Sequence, residues 1–98
     1  MDALRFAWDP GKAATNLRKH GVPFAEAESV FADENAILLD DPGHSRHEDR
    51  FVLLGLSERL RILVVSHTLR DDGRTIRIIS ARKATKRERE QYLEQVMP

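Results

Sequence analysis

The spacing of apolar residues changes period near Asn35, and that change restricts the chain to a fold mixing helices with a sheet. Before it, Phe24, Ala27, Val30 and Phe31 recur at three- and four-residue intervals, which describes a helix with one buried stripe. After it come three apolar runs, residues 50–55, 60–68 and 75–82, rich in Ile, Val and Leu. They are separated by Ser57-Glu58-Arg59 and by Asp71-Asp72-Gly73, both turn-forming. Strands joined by such short turns pair as an antiparallel meander.

Local signals set the helix ends. Asp9-Pro10 offers an N-cap side chain followed by proline at the first helical position, and Gly21 after His20 offers the left-handed residue that ends a helix. Pro23 opens the second helix. Thr85-Lys86-Arg87-Glu88 has the spacing of a capping box, so a closing helix starts there, with Leu93 and Val96 expected to pack on the sheet. Phe6-Ala7-Trp8 and residues 36–39 read as short strands or extended segments. The expected order is two N-terminal helices, an antiparallel meander and a C-terminal helix, an α+β domain. A chain of 98 residues supports one core, so residues 1–98 are expected to form a single domain.

Composition excludes several function classes. With no cysteine there are no disulfides, no thiolate chemistry and no Cys-ligated zinc. No apolar run approaches the roughly 20 residues that span a bilayer, and Met1-Asp2-Ala3-Leu4-Arg5 lacks the features of a signal peptide, so a cytoplasmic protein without membrane contact is expected. Formal charge is zero, but it is unevenly placed: residues 1–49 carry five Lys/Arg against ten Asp/Glu, and residues 50–98 carry eleven against six. Arg70, Arg74, Arg77, Arg82, Lys83, Lys86, Arg87 and Arg89 give the second half the composition of a phosphate-binding surface, or of an ordinary solvated face.

Several residues could carry chemistry. On the first helix Lys12, Asn16, Lys19 and His20 fall within one stripe, with Ala13, Ala14 and Leu17 on the other side. Lysines, an amide and an imidazole facing one way suit phosphates, although a wet helix face has the same make-up. His67 closes an otherwise apolar strand near Arg70, as an acid–base group or as a histidine that bonds a neighbouring loop. In residues 75–82, alternation puts Ile76, Ile78 and Ser80 on one face and Thr75, Arg77, Ile79 and Ala81 on the other, so Arg77 interrupts an apolar strand. Glu48 and Arg50 lie two apart at a strand start and share a side, either as an ion pair or within an active site. Asp40, Asp41, His44, His47, Glu48 and Asp49 crowd together, but a loop containing Arg46 is a poor ligand frame, so no metal site and no cofactor are expected.

Taken in order, these residues resemble the BrnT family of toxins over nearly the whole chain. The resemblance is carried by Phe6-Ala7-Trp8-Asp9, Lys12, Asn16, Lys19-His20-Gly21-Val22 and Phe24. It continues through Glu48, Arg50, Gly55, His67-Thr68-Leu69-Arg70, Arg77-Ile78-Ile79-Ser80-Ala81-Arg82, Ala84, Glu88 and Tyr92. It implies a RelE-like fold with helices on one face of an antiparallel sheet, and a toxic endoribonuclease that arrests translation without a metal. It also implies a BrnA-like ribbon-helix-helix antitoxin that binds operator DNA, so that the complex represses its own operon. Within it, His67, His20 and Glu48 are the candidates for proton transfer. Arg50, Arg77 and Arg82 are expected at the catalytic centre, and Lys12, Asn16, Lys19, Arg70, Lys83 and Lys86 on the RNA. The rival readings from the residues alone are a non-catalytic nucleic-acid-binding module and a metal hydrolase built on His44 and His47.

Overall fold

A computed structural model describes residues 4–39 and 50–97. Strand β1 (Arg5–Ala7) precedes helices α1 (Pro10–His20) and α2 (Phe24–Ser29), and a 3-10 turn over Val30–Ala32 leads to β2 (Ile37–Leu39). Then follow β3 (Phe51–Leu56), β4 (Ile62–Arg70), β5 (Thr75–Lys83) and helix α3 (Lys86–Val96). The five strands make one sheet in the order β1-β5-β4-β3-β2. The α+β class is as expected, with two corrections to the order. The paired helices follow a strand instead of opening the chain, and the sheet is not wholly antiparallel, because β1 lies parallel to β5 with Arg5 beside Thr75.

The helix ends follow the local signals. Asp9 caps α1 by accepting from the Lys12 N–H at 2.9 Å, Pro10 occupies the first position, and Gly21 ends the helix at φ 69°. At α3 the Thr85 hydroxyl accepts from Glu88 N–H while the Glu88 carboxylate accepts from Thr85 N–H, closing both halves of the capping box. The β4–β5 turn puts Asp71, Asp72 and Gly73 all at positive φ. Asp tolerates that region because its short side chain bonds locally, as Asp71 does with the Thr75 hydroxyl at 2.8 Å.

The sheet carries a core on each face. On one, Val22, Phe24, Ala27 and Val30 pack on Leu63, Val65, Ile76, Ile78 and Ala81. On the other, Tyr92 and Ala84 pack on Leu54 and Val64. Helices therefore cover both faces, correcting the one-sided layering implied by the resemblance. The face of α3 also differs from expectation: Leu93 and Val96 are exposed, and Tyr92 is buried in their place. Its hydroxyl donates to Asp33 Oδ2 at 2.6 Å, a bond that neither Leu93 nor Val96 can offer. Asp33 also accepts from Leu56 N–H at 2.8 Å, and Gly55 beside it leaves no room for a side chain, since a Cβ there would lie 2.8 Å from Val30 Cγ1.

A bulge in β5 overturns the simple alternation. Ser66 pairs with Ser80 and His67 with Ile78, leaving Ile79 as the extra residue. Past it the strand switches phase, so Ala81 joins Ile76 and Ile78 in the core instead of facing away from them. A second long-range lock, invisible to periodicity, joins α2 to the β3–β4 turn. Buried Glu26 pairs with Arg61 and accepts from the Ser57 hydroxyl at 2.6 Å. Arg61 holds this carboxyl below its usual pKa, against burial, and Ser57 adds to the effect.

Candidate nucleic-acid interface

The strand register sorts the candidate residues by face. Leu53, Val65 and Ile78 point toward α1 and α2, whereas Val52, Leu54 and Val64 point toward α3. Ser66, paired with Val52 and Ser80, shares the α3 face, and so does Thr68, paired with Arg77. Extending the alternation places Arg5, Arg50, Arg70, Arg77 and Arg82 on this face. Residues of α3 cover only its Leu54–Val64 portion. What remains is a strip of arginines and hydroxyls along β4 and β5.

The arginines differ in readiness. Arg82 is clamped by Glu88 in a bidentate pair at 2.8 and 3.0 Å, which lowers the Glu88 pKa to about 2, with the Thr85 N–H helping. Arg50 and Arg70 are engaged by other groups. Arg77 is half-buried and has no hydrogen-bond or ion-pair partner among the described residues. Opposite it, Thr68 is 3% exposed and its Oγ1 is a buried side-chain oxygen with no hydrogen-bond partner. An unpaired buried hydroxyl costs about 1–3 kcal/mol. Arg77 and Thr68 thus place an uncommitted cation and an uncommitted hydroxyl side by side on the ladder. Lys83 and Lys86 are exposed at the junction of β5 and α3.

The other candidates lie elsewhere. Lys12, Lys19 and His20 line a groove of about 470 Å³ between α1 and the edge of β5, together with Thr15, Ile79 and Ser80. Asn16 touches the same groove but is buried and fully committed: its Nδ2 donates to Val22 O at 3.0 Å and Ala81 O at 2.8 Å, and its Oδ1 accepts from Ala81 N–H at 3.1 Å. That corrects the expectation of Asn16 on a wet stripe contacting RNA, because its amide acts as a missing strand neighbour for β5. The helix is correspondingly rotated, leaving Leu17 exposed while Ala13 packs on the core.

His67 is buried on the α1/α2 face. Its ring meets Phe31 edge-on at 4.8 Å and Phe51 at 5.8 Å, with Nδ1 at 3.3 Å from Val65 O. Burial pushes the imidazole pKa down, so the ring stays neutral and packs as an aromatic. It therefore lies across the sheet from Arg77. The structure brings together Lys12, Lys19 and His20 in one place and the sheet arginines in another, and separates His67 from both. Glu48 and the cluster Asp40, Asp41, His44, His47 and Asp49 lie outside the described residues. None of the described helices is long and apolar enough to cross a membrane.

The family model described as a ribonuclease toxin, BrnT, of type II toxin–antitoxin systems matches residues 8–88. A small α+β domain with a cationic sheet face and that match is a ribonuclease toxin of a type II toxin–antitoxin system. Among solved structures, the Brucella abortus ribonuclease toxin BrnT, a 1.1 Å crystal structure, is similar with a TM-score of 0.66 and 26% identity, covering 86% of this chain and 100% of that one. The chain belongs to the BrnT family. A comparison with curated protein sequences gives no match.

Proposed function

We propose that this toxin cleaves RNA on the arginine-lined part of its sheet and needs no metal to do so. The observation that carries the reading is Arg77, a half-buried guanidinium with no acidic partner among the described residues, set beside the unsatisfied Thr68 hydroxyl. The RNA 2′-hydroxyl gives its proton to a base and its oxygen attacks the adjacent phosphorus, the P–O5′ bond breaks and the 5′-oxygen leaves with a proton; on the way negative charge builds on the phosphoryl oxygens. A fixed guanidinium neutralises it through paired N–H donors. Arg50, Arg70, Arg82, Lys83 and Lys86 surround this position with charge that draws and orients the backbone. Proton transfer falls to Glu48, since the His67 ring is enclosed by Phe31 and Phe51 and His20 lies in the α1 groove, apart from the sheet arginines.

Family membership supports the remaining features of the proposal. The toxin has a RelE-like architecture, acts in the cytoplasm and arrests translation. It is neutralised by a BrnA-like ribbon-helix-helix antitoxin, and the complex represses its own operon by binding operator DNA. An antitoxin segment rich in Asp and Glu would complement the arginine strip and associate faster at low salt. The test is incubation of antitoxin-free protein with end-labelled RNA in EDTA, beside expression in bacteria with and without the neighbouring gene. Fragments in EDTA and growth arrest relieved by the neighbour are expected. Intact RNA in EDTA but cleavage after adding a divalent ion would overturn the metal-free mechanism. Healthy growth with abundant folded toxin would overturn the toxic activity.

A further inference from the structure

The groove beside α1 is separate from the arginine strip, yet the two meet at one strand edge. β1 pairs with β5 only from Thr75 to Ala7's partner Arg77, so from Ile78 onward the outer edge of β5 has no strand beside it among the described residues. Asn16 occupies part of that edge at Ala81. Ile79 and Ser80, at the bulge, form the groove's strand side. Its helix side presents Lys12, Thr15, Lys19 and His20, all exposed, and no acidic group pairs with these cations among the described residues. The one carboxylate on the wall among the described residues, Asp9, is turned back to cap Lys12 N–H. Arg77 lies two and three residues from Ile79 and Ser80, which is about 7–10 Å along an extended strand. Among the described residues no Phe, Tyr or Trp lines the groove, and its one ring is the His20 imidazole.

We propose that this groove is a second binding site for the backbone of single-stranded RNA, which passes from the arginine strip around the bulged edge of β5 onto α1. This rests on the reading of the sheet face as the cleavage site. The geometry selects the ligand. Two lysines and an imidazole along α1 suit successive phosphates, and the hydroxyls of Thr15 and Ser80 can bond phosphate or ribose oxygens. A wall whose one ring is an exposed imidazole offers no row of platforms for stacking successive bases, so recognition here is tolerant of sequence. A duplex cannot turn sharply around a strand edge, whereas a single strand can.

The test uses uncleavable RNAs with 2′-O-methyl groups, of about four and about twelve nucleotides, with binding measured against salt. In wild-type toxin the longer RNA binds more tightly and with a steeper salt dependence. The double variant Lys12→Gln/Lys19→Gln should lose most of that advantage, with its salt slope for the longer RNA reduced by about 1.4, since each phosphate neutralised on a single strand contributes about 0.7. Its affinity for the four-nucleotide RNA should stay near wild type. A matched loss of charge at Arg18 and Arg59, outside the groove, should leave both affinities near wild type. Equal weakening by the two double variants would show a general field effect and overturn the groove, as would an unchanged slope for Lys12→Gln/Lys19→Gln. If wild-type toxin binds neither RNA, the sheet-face reading falls with it.

Discussion

Replacing Asn16 by Ala tests whether this amide serves the fold or the RNA. The substitution removes three hydrogen bonds and strands the carbonyls of Val22 and Ala81 and the N–H of Ala81, in residues that are fully buried. Each buried group left unpaired costs about 1–3 kcal/mol, and water entering the space of the lost amide recovers part of it, so we take about 3 kcal/mol for the site. That is a large fraction of the roughly 5–15 kcal/mol that stabilises a typical domain. For a domain near 100 residues, each 1 kcal/mol moves Tm by about 4–8 °C, so Asn16→Ala should melt roughly 12–24 °C lower. Circular dichroism melts and urea titrations of both proteins measure this. Well below its Tm, the folded variant should bind RNA as wild type does. A Tm within a few degrees of wild type, together with weakened RNA binding, would return Asn16 to the interface.

Three other substitutions separate packing from chemistry. His67→Gln should retain RNA cleavage per folded molecule but lose stability. In wild type the lowered folded-state pKa of His67 means stability is full above pH about 6.5 and falls as pH drops below it, a dependence the variant should lack. Thr68→Val removes an unpaired buried hydroxyl without changing shape, so it should raise Tm while slowing cleavage; a variant with wild-type rate would detach Thr68 from the site. Glu88→Gln should free Arg82 and strengthen RNA binding, at a cost below about 1 kcal/mol because Arg82 is well exposed. Glu88 titrates near 2 when folded, so its contribution is present above pH about 4.5 and is lost between there and pH 2. Acid melts of wild type should be steeper over that range than those of the variant.

The features legible in the sequence are those encoded within a few residues. Asp9-Pro10, Gly21 and the Thr85–Glu88 box set helix ends that the structure reproduces, and Asp71-Asp72-Gly73 marks a turn that three positive φ values realise. The missed features join distant segments. Asn16 meets Ala81 across 65 positions and Tyr92 meets Asp33 across 59, and a helical-wheel stripe contains no information about either. Asn16 looks polar and therefore wet, yet its amide matches the open N–H and C=O of a strand edge. The bulge at Ile79 has no signature in a β-branched run, and it alone reverses the facing of Ala81. The candidate site suffered for the same reason: the charge excess of the second half was readable, but which side of the sheet each residue occupies was not. His67 and Arg77 look equally available in the sequence and lie on opposite faces.

Cleavage is expected to depend on Arg77, and the cleavage rate of Arg77→Ala at saturating RNA in EDTA measures that dependence. Loss of a fixed donor aimed at developing charge typically costs about 10²–10³ in rate, and the Arg77 side chain has no hydrogen bond or ion pair among the described residues for the fold to lose. The variant should keep a Tm near wild type and cleave at least about 100-fold more slowly, with Arg77→Lys recovering only part of the rate because an ammonium lacks the paired donors. Wild-type cleavage by a well-folded Arg77→Ala toxin would remove Arg77 and its strip from the catalytic centre.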